Sequence, residues 1–136
     1  MTWLETPSVC AAQFLVPRPG ATGGREIARG LEAVLLDLAR SLEAEGCRLI
    51  GHIKALVQGV PEGHLYASLV SVGQGVSLRG EMPEEVEEVR LTVNVIVYGV
   101  DPARLPGLLD ESVGRGFPEA IRVTGESAKD GPQVPA

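Results

Sequence analysis

Three stretches decide the fold: RLIGHIKALV at 48–57, GHLYASLVSV at 63–72 and VRLTVNVIVY at 89–98. Their odd positions are nearly all aliphatic, while their even positions gather His52, Lys54, His64, Tyr66, Ser68, Arg90, Thr92 and Asn94. Side chains alternate across a strand with a period of two, so this parity predicts antiparallel strands with one face given to a core and the other carrying the polar groups. The connection Gln58 to Glu62 reverses the chain. Closed as a simple hairpin with Val57 facing Gly63, it sets Lys54 opposite Tyr66 and His52 opposite Ser68. Gly73-Gln74-Gly75 reads as a turn or bulge into a shorter strand, Val76 to Glu81, and the acidic EMPEEVEE at 81–88 as the connection into the strongest strand.

Working outward, SVCAAQFLV at 8–16 is an apolar run of strand length, ended by Pro17-Arg18-Pro19-Gly20. From Thr22 or Gly23 a helix begins, because Ile27, Leu31, Val34, Leu35, Leu38 and Leu42 recur at spacings of three and four and form one apolar stripe. Gly46 ends it as a C-terminal cap. Asp101-Pro102 offers a cap and a first-turn proline, Pro106 and Gly107 delay the second helix, and Gly114 closes it. A short strand, Ala120 to Thr124, follows. This order predicts an α+β two-layer sandwich: an antiparallel sheet of about five strands with two helices on one face, ferredoxin-like or a variant with an added strand. Residues 1–126 form a single domain in this reading, and 127–136 a flexible tail. The strand Val89 to Val97, followed by Tyr98-Gly99-Val100-Asp101 and a helix, resembles the C-terminal half of the alkaline-shock protein family over about a third of the chain. The N-terminal part does not follow that pattern, and the likeness carries no function.

Composition narrows the function classes. The chain has 136 residues, 44% hydrophobic and 22% charged, a globular balance. A net charge of −6 argues against nonspecific binding to nucleic acid or anionic membranes. Aromatic content of 4% leaves Tyr66 and Tyr98 as the only candidates for base stacking on an open sheet. No apolar run reaches membrane-span length and MTWLETPSV is not a signal peptide, so a cytoplasmic protein is expected. Cys10 and Cys47 have no CxxC spacing and read as two buried free thiols.

Four constellations offer chemistry. His52, Lys54, Tyr66 and Ser68 form a candidate acid/base group, with a histidine and serine as the start of a nucleophile and base pair, but no carboxylate among the central even positions to orient the imidazole. The loop before the long helix, with Arg18, Thr22, Gly23, Gly24 and Arg25, offers free N–H groups and positive charge to a small anion, although it matches neither a Walker loop nor a GxGxxG fingerprint. Cys10, Cys47, His52 and His64 are the only soft ligands, and parity separates Cys47 from the histidines, so no metal or other cofactor is expected. The glutamates Glu81, Glu84, Glu85, Glu87 and Glu88 lack the glycine turn of a calcium loop.

Ile50, Leu56, Val70, Ile96 and Tyr98 interrupt the polar face with apolar side chains, a mixture typical of protein interfaces. The expectation is therefore a non-catalytic assembly, accessory or regulatory domain, self-associating or binding a protein partner through His52, Lys54, Tyr66, Arg90, Asn94 and Tyr98. The alternative is an anion-binding protein or enzyme whose His/Lys/Tyr site is completed at a subunit interface.

Overall fold

The computed structural model describes residues 6–17 and 23–124. The elements run β1 (Ser8–Pro17), α1 (Gly24–Ala44), β2 (Leu49–Val60), β3 (His64–Leu69), β4 (Ser77–Glu81), β5 (Glu88–Tyr98), α2 (Leu105–Gly116) and β6 (Ile121–Thr124). The fold is α+β: a six-stranded open sheet in the order β4-β3-β2-β5-β1-β6, every neighbouring pair antiparallel, with both helices against one face. β5 lies between β1 and β2, which gives the split βαβ arrangement of a ferredoxin-like plait. The β3–β4 hairpin, inserted between β2 and β5 in sequence, extends the β2 side and raises the four strands of the plait to six, against the expected sheet of about five.

The core lies between the sheet and the helices. Ile27, Leu31, Val34, Leu35, Leu38 and Leu42 of α1 are all fully buried, as the three-and-four spacing predicts. They meet Ile53, Ala55 and Val57 of β2, Leu65, Ala67 and Leu69 of β3, and Val89, Leu91, Val93, Val95 and Val97 of β5. Gly46 ends α1 at φ +93°, and the N–H groups of Gly46 and Cys47 donate to the carbonyls of Glu43 and Leu42, the pattern of a Schellman cap. α2 begins at Leu105, after Asp101 has accepted a hydrogen bond from the Ala103 N–H at 2.9 Å. Asp37 of α1 ties the helices together by accepting from Ser112 Oγ at 2.7 Å and from Arg115 Nε at 3.0 Å.

Two register details depart from the sequence reading. The β2–β3 hairpin closes at Gly59 and Gly63, whose N–H and C=O pair at 2.8 Å, so β2 runs to Val60 and its partners slip by two residues. Lys54 therefore faces Ser68, and Leu56 faces Tyr66. A slip of two preserves which face each side chain occupies, and the core parity survives. The second departure is a bulge at Gly51, between the pairs Ile50↔Val97 and His52↔Ile96. The extra residue reverses parity before it, turning Ile50 toward the core and leaving Leu49 59% exposed opposite Tyr98. Cys10 is buried and in no disulfide, as expected, whereas Cys47 is only half-buried.

The acidic connection runs on the helix side. Val86 is buried in the core, and Met82 packs beside Gly59 and Gly63. The backbone of Met82 occupies the space that a side chain on Gly24 would fill, so the first turn of α1 abuts this segment. Among the described residues, no helix is long and apolar enough to cross a membrane.

Candidate functional site

The face of the sheet turned away from the helices collects the polar side chains, and cross-strand register arranges them in rows. One row runs Glu81, His64, Gln58, Arg90, Leu15 and Ile121; the next runs Arg79, Tyr66, Leu56, Thr92 and Gln13. A third runs Ser77, Ser68, Lys54, Asn94 and Ala11, followed by His52, Ile96 and Val9, and then Leu49 beside Tyr98. Thr92 and Asn94 on the central strand are buried although no layer of the described residues covers them. Thr92 stands between Leu56 and Gln13, and Asn94 between Lys54 and Ala11. Gln13 Nε2 donates to Thr92 Oγ1 at 3.4 Å, and Arg90 Nε donates to Glu88 at 3.2 Å.

Each expected site residue can now be placed. His52, Lys54, Tyr66, Ser68, Arg90, Asn94 and Tyr98 share this face, with Tyr98 at one end and Arg90 at the other. The proposed pairings are not formed. His52 faces Ile96, and Ser68, its expected partner, stands opposite Lys54. Burial and the ammonium of Lys54 both push the His52 imidazole below its ordinary pKa, so it is neutral near pH 7. Its strand neighbours, Ile96 and Lys54, supply no carboxylate to orient it.

The cation beside Tyr66 is Arg79, at 6.0 Å from the ring centroid, and His64 meets the same ring edge-on at 6.0 Å. Ile50, expected among the apolar side chains of this face, belongs to the core side instead because of the Gly51 bulge.

Of the proposed anion loop, Arg18 and Thr22 lie outside the described residues. Gly23 and Gly24 open α1 against the acidic connection, and Arg25 is exposed on its first turn. Among the described residues, no group of three or more His, Cys, Asp or Glu side chains stands close enough to hold a metal ion. Cys10 faces the core from β1, on the opposite side of the sheet from His52 and His64.

Sequence reasoning missed Gln13, Leu15 and Arg79. A concavity of about 410 Å³ lies against Gln13, Leu15, Glu88, Arg90 and Val123, where β5, β1 and β6 run side by side. The signal for the β1 residues was present: Gln13 is the only polar residue within 9–16, and it marks odd positions as the outward face of an otherwise apolar run. Chemically, the face offers amide, hydroxyl, ammonium and guanidinium groups around aliphatic patches.

No protein-family model matches the chain, and no curated protein matches it. Among solved structures, the Zn(II)-bound YjiA GTPase from E. coli aligns at 15% identity and a TM-score of 0.38, over 76% of this chain and 29% of that one. A Zn(II)-bound triple mutant of YjiA gives the same values. The chain thus spans less than a third of that protein's length, and a likeness at this level carries no argument about fold or chemistry.

Proposed function

We propose that this chain is a non-catalytic assembly or accessory domain that receives a protein partner on the open face of its sheet. The observation that supports this reading is the composition of that face: Val9, Leu15, Leu56, Ile96 and Tyr66 stand among Lys54, Gln13, Arg79 and Arg90 with no layer of the described residues over them. Aliphatic patches fringed by polar groups are the composition of a non-obligate interface. Charge selects the partner. Lys54, Arg79 and Arg90 stand there against Glu81 and Glu88 in a protein of net charge −6, so the complement is an apolar surface rimmed by carboxylates.

The test is capture on the immobilised chain, followed by direct binding of the captured protein in purified form. Leu56→Glu and Lys54→Glu are expected to abolish binding, while Glu32→Lys on the outer face of α1 preserves it. Binding that survives both face substitutions overturns the reading.

The concavity beside Arg90 favours a second reading, a small anionic ligand with an apolar body, or an enzyme site completed by another subunit with His52, Lys54 and Tyr66. It predicts that a panel of small carboxylates shifts the Arg90 and Gln13 NMR signals at low millimolar concentration or below. Unmoved signals remove it.

A further inference from the structure

We propose that β4 is a self-association edge: two copies join β4 to β4 about a two-fold axis normal to the sheet, with Arg79 of each copy opposite Glu81 of the other. β4 is the outermost strand on its side, and all five of its residues are exposed. One rank of its backbone N–H and C=O groups faces away from β3 and, among the described residues, is not taken up by any other strand, which makes it a template for another strand.

Symmetry limits how a second copy can dock. An antiparallel pair about such an axis matches residues of the same face, so the register is centred on a single residue. Centred on Arg79, it opposes two guanidinium groups; centred on Glu81, it opposes two carboxylates; centred on Leu78, it sets Arg79 against Ser77 and leaves it without an opposite charge. Centred on Gly80, it sets Arg79 opposite Glu81 twice, once on each side of the axis. Both side chains already share the open face, beside Tyr66 and His64, so no rotation of the strand is needed.

One further feature suits that register. Leu78, on the helix side, is 37% exposed and gains cover from the neighbouring copy. A strand designed to repel its own copy carries like charges at matching positions, and β4 carries opposite ones. Five residues a side make a small contact, so the dimer is weak and salt-sensitive.

The experiment is sedimentation equilibrium of the full chain across micromolar to millimolar concentration, for the wild type, Arg79→Glu, Glu81→Arg, the double reversal, and an equimolar mixture of the two single variants, each checked for folding by circular dichroism. The wild type is expected to dimerise, and each single reversal to raise the dissociation constant about tenfold or more, because two attractive pairs become repulsive. The double reversal restores the dimer, and the mixture forms a heterodimer in which every pair is again opposite. A wild type that stays monomeric at millimolar concentration overturns the proposal, as does a dimer indifferent to the single reversals or a folded double reversal that fails to associate. Leu56→Glu, which tests the open face, leaves this equilibrium unchanged, so the two proposals fail independently.

Discussion

Gly30 and Phe117 offer a test of how the two helices are held together. A Cβ on Gly30 would stand 2.8 Å from Cε1 and Cζ of Phe117 and 3.3 Å from the carbonyl oxygen of Gly116. That is roughly an ångström short of an ordinary carbon–carbon contact. Phe117 is only 2% exposed, so its ring has little room to retreat. Gly30→Ala therefore overpacks the contact at about 1–3 kcal/mol. Against this, alanine gains about 1 kcal/mol over glycine in a helix interior. The net effect in the wild type is a loss of about 0–2 kcal/mol. Phe117→Ala costs about 3–5 kcal/mol, within reach of measurement for a domain stable by about 5–15 kcal/mol. In that background the clash is gone and only the helix gain remains, so Gly30→Ala becomes stabilising by about 1 kcal/mol. Urea denaturation of the four proteins, followed by circular dichroism, completes the cycle. A Gly30→Ala effect that is the same in both backgrounds, to within about 0.5 kcal/mol, refutes the packing argument.

Two predictions concern pH. At Asp37, burial raises the pKa, but hydrogen bonds from Ser112 and Arg115 and the charge of Arg115 outweigh it and hold the carboxylate below its usual range. A depressed folded-state pKa gives stability that is present above the unfolded value of about 3.9 and is lost as pH falls through the folded value, so acid should weaken the α1–α2 contact and Asp37→Asn should remove that dependence from urea midpoints measured against pH. At His52, burial and Lys54 lower the imidazole pKa, so its contribution to stability is present above the unfolded value of about 6.5 and is lost as pH falls toward the folded value. An NMR titration should find the His52 pKa below that of a free histidine and rising in Lys54→Gln; no rise would show that the ammonium is not its partner.

Strand parity in 53–57, 65–69 and 89–97 and the α1 stripe were legible in the sequence because burial imposes a period on each element. Those periods are enough to separate the core face from the open face. What parity cannot show is an inserted residue. Gly51 reverses the alternation before it, so Ile50 and Leu49 exchange sides without any change in their hydrophobic character. Pairing between strands was also hidden, since a hairpin closed at Gly59 rather than Val57 keeps every face and moves every partner. That slip moves Lys54 from opposite Tyr66 to opposite Ser68, while the pairing of β3 with β4 sets Arg79 beside the ring, on a strand whose position at the sheet edge no local pattern reveals. β1 was read as an apolar run, and its open-face members surfaced only with the register against β5.

The two uncovered surfaces have one geometric origin. Both helical crossovers, β1 to β2 through α1 and β5 to β6 through α2, pass over the same side of the sheet, so among the described residues the other side receives no helix. Two helices of about 10 Å diameter span about 20 Å. Six strands at about 4.8 Å spacing span about 24 Å between the outer axes, and their side chains extend further. The helices therefore run out before the sheet does. On the β4 side this leaves Leu78 partly exposed on the helix face, while Ser77, Arg79 and Glu81 occupy the open face. Of the added hairpin, β3 still packs its Leu65, Ala67 and Leu69 into the core beneath α1, while β4 lies at the margin with an outer edge that no strand of the described residues pairs. The alternation of Arg79 and Glu81 about Gly80 is the pattern on which the proposed pairing rests: a strand whose charges complement their own reversal suits a second copy of itself.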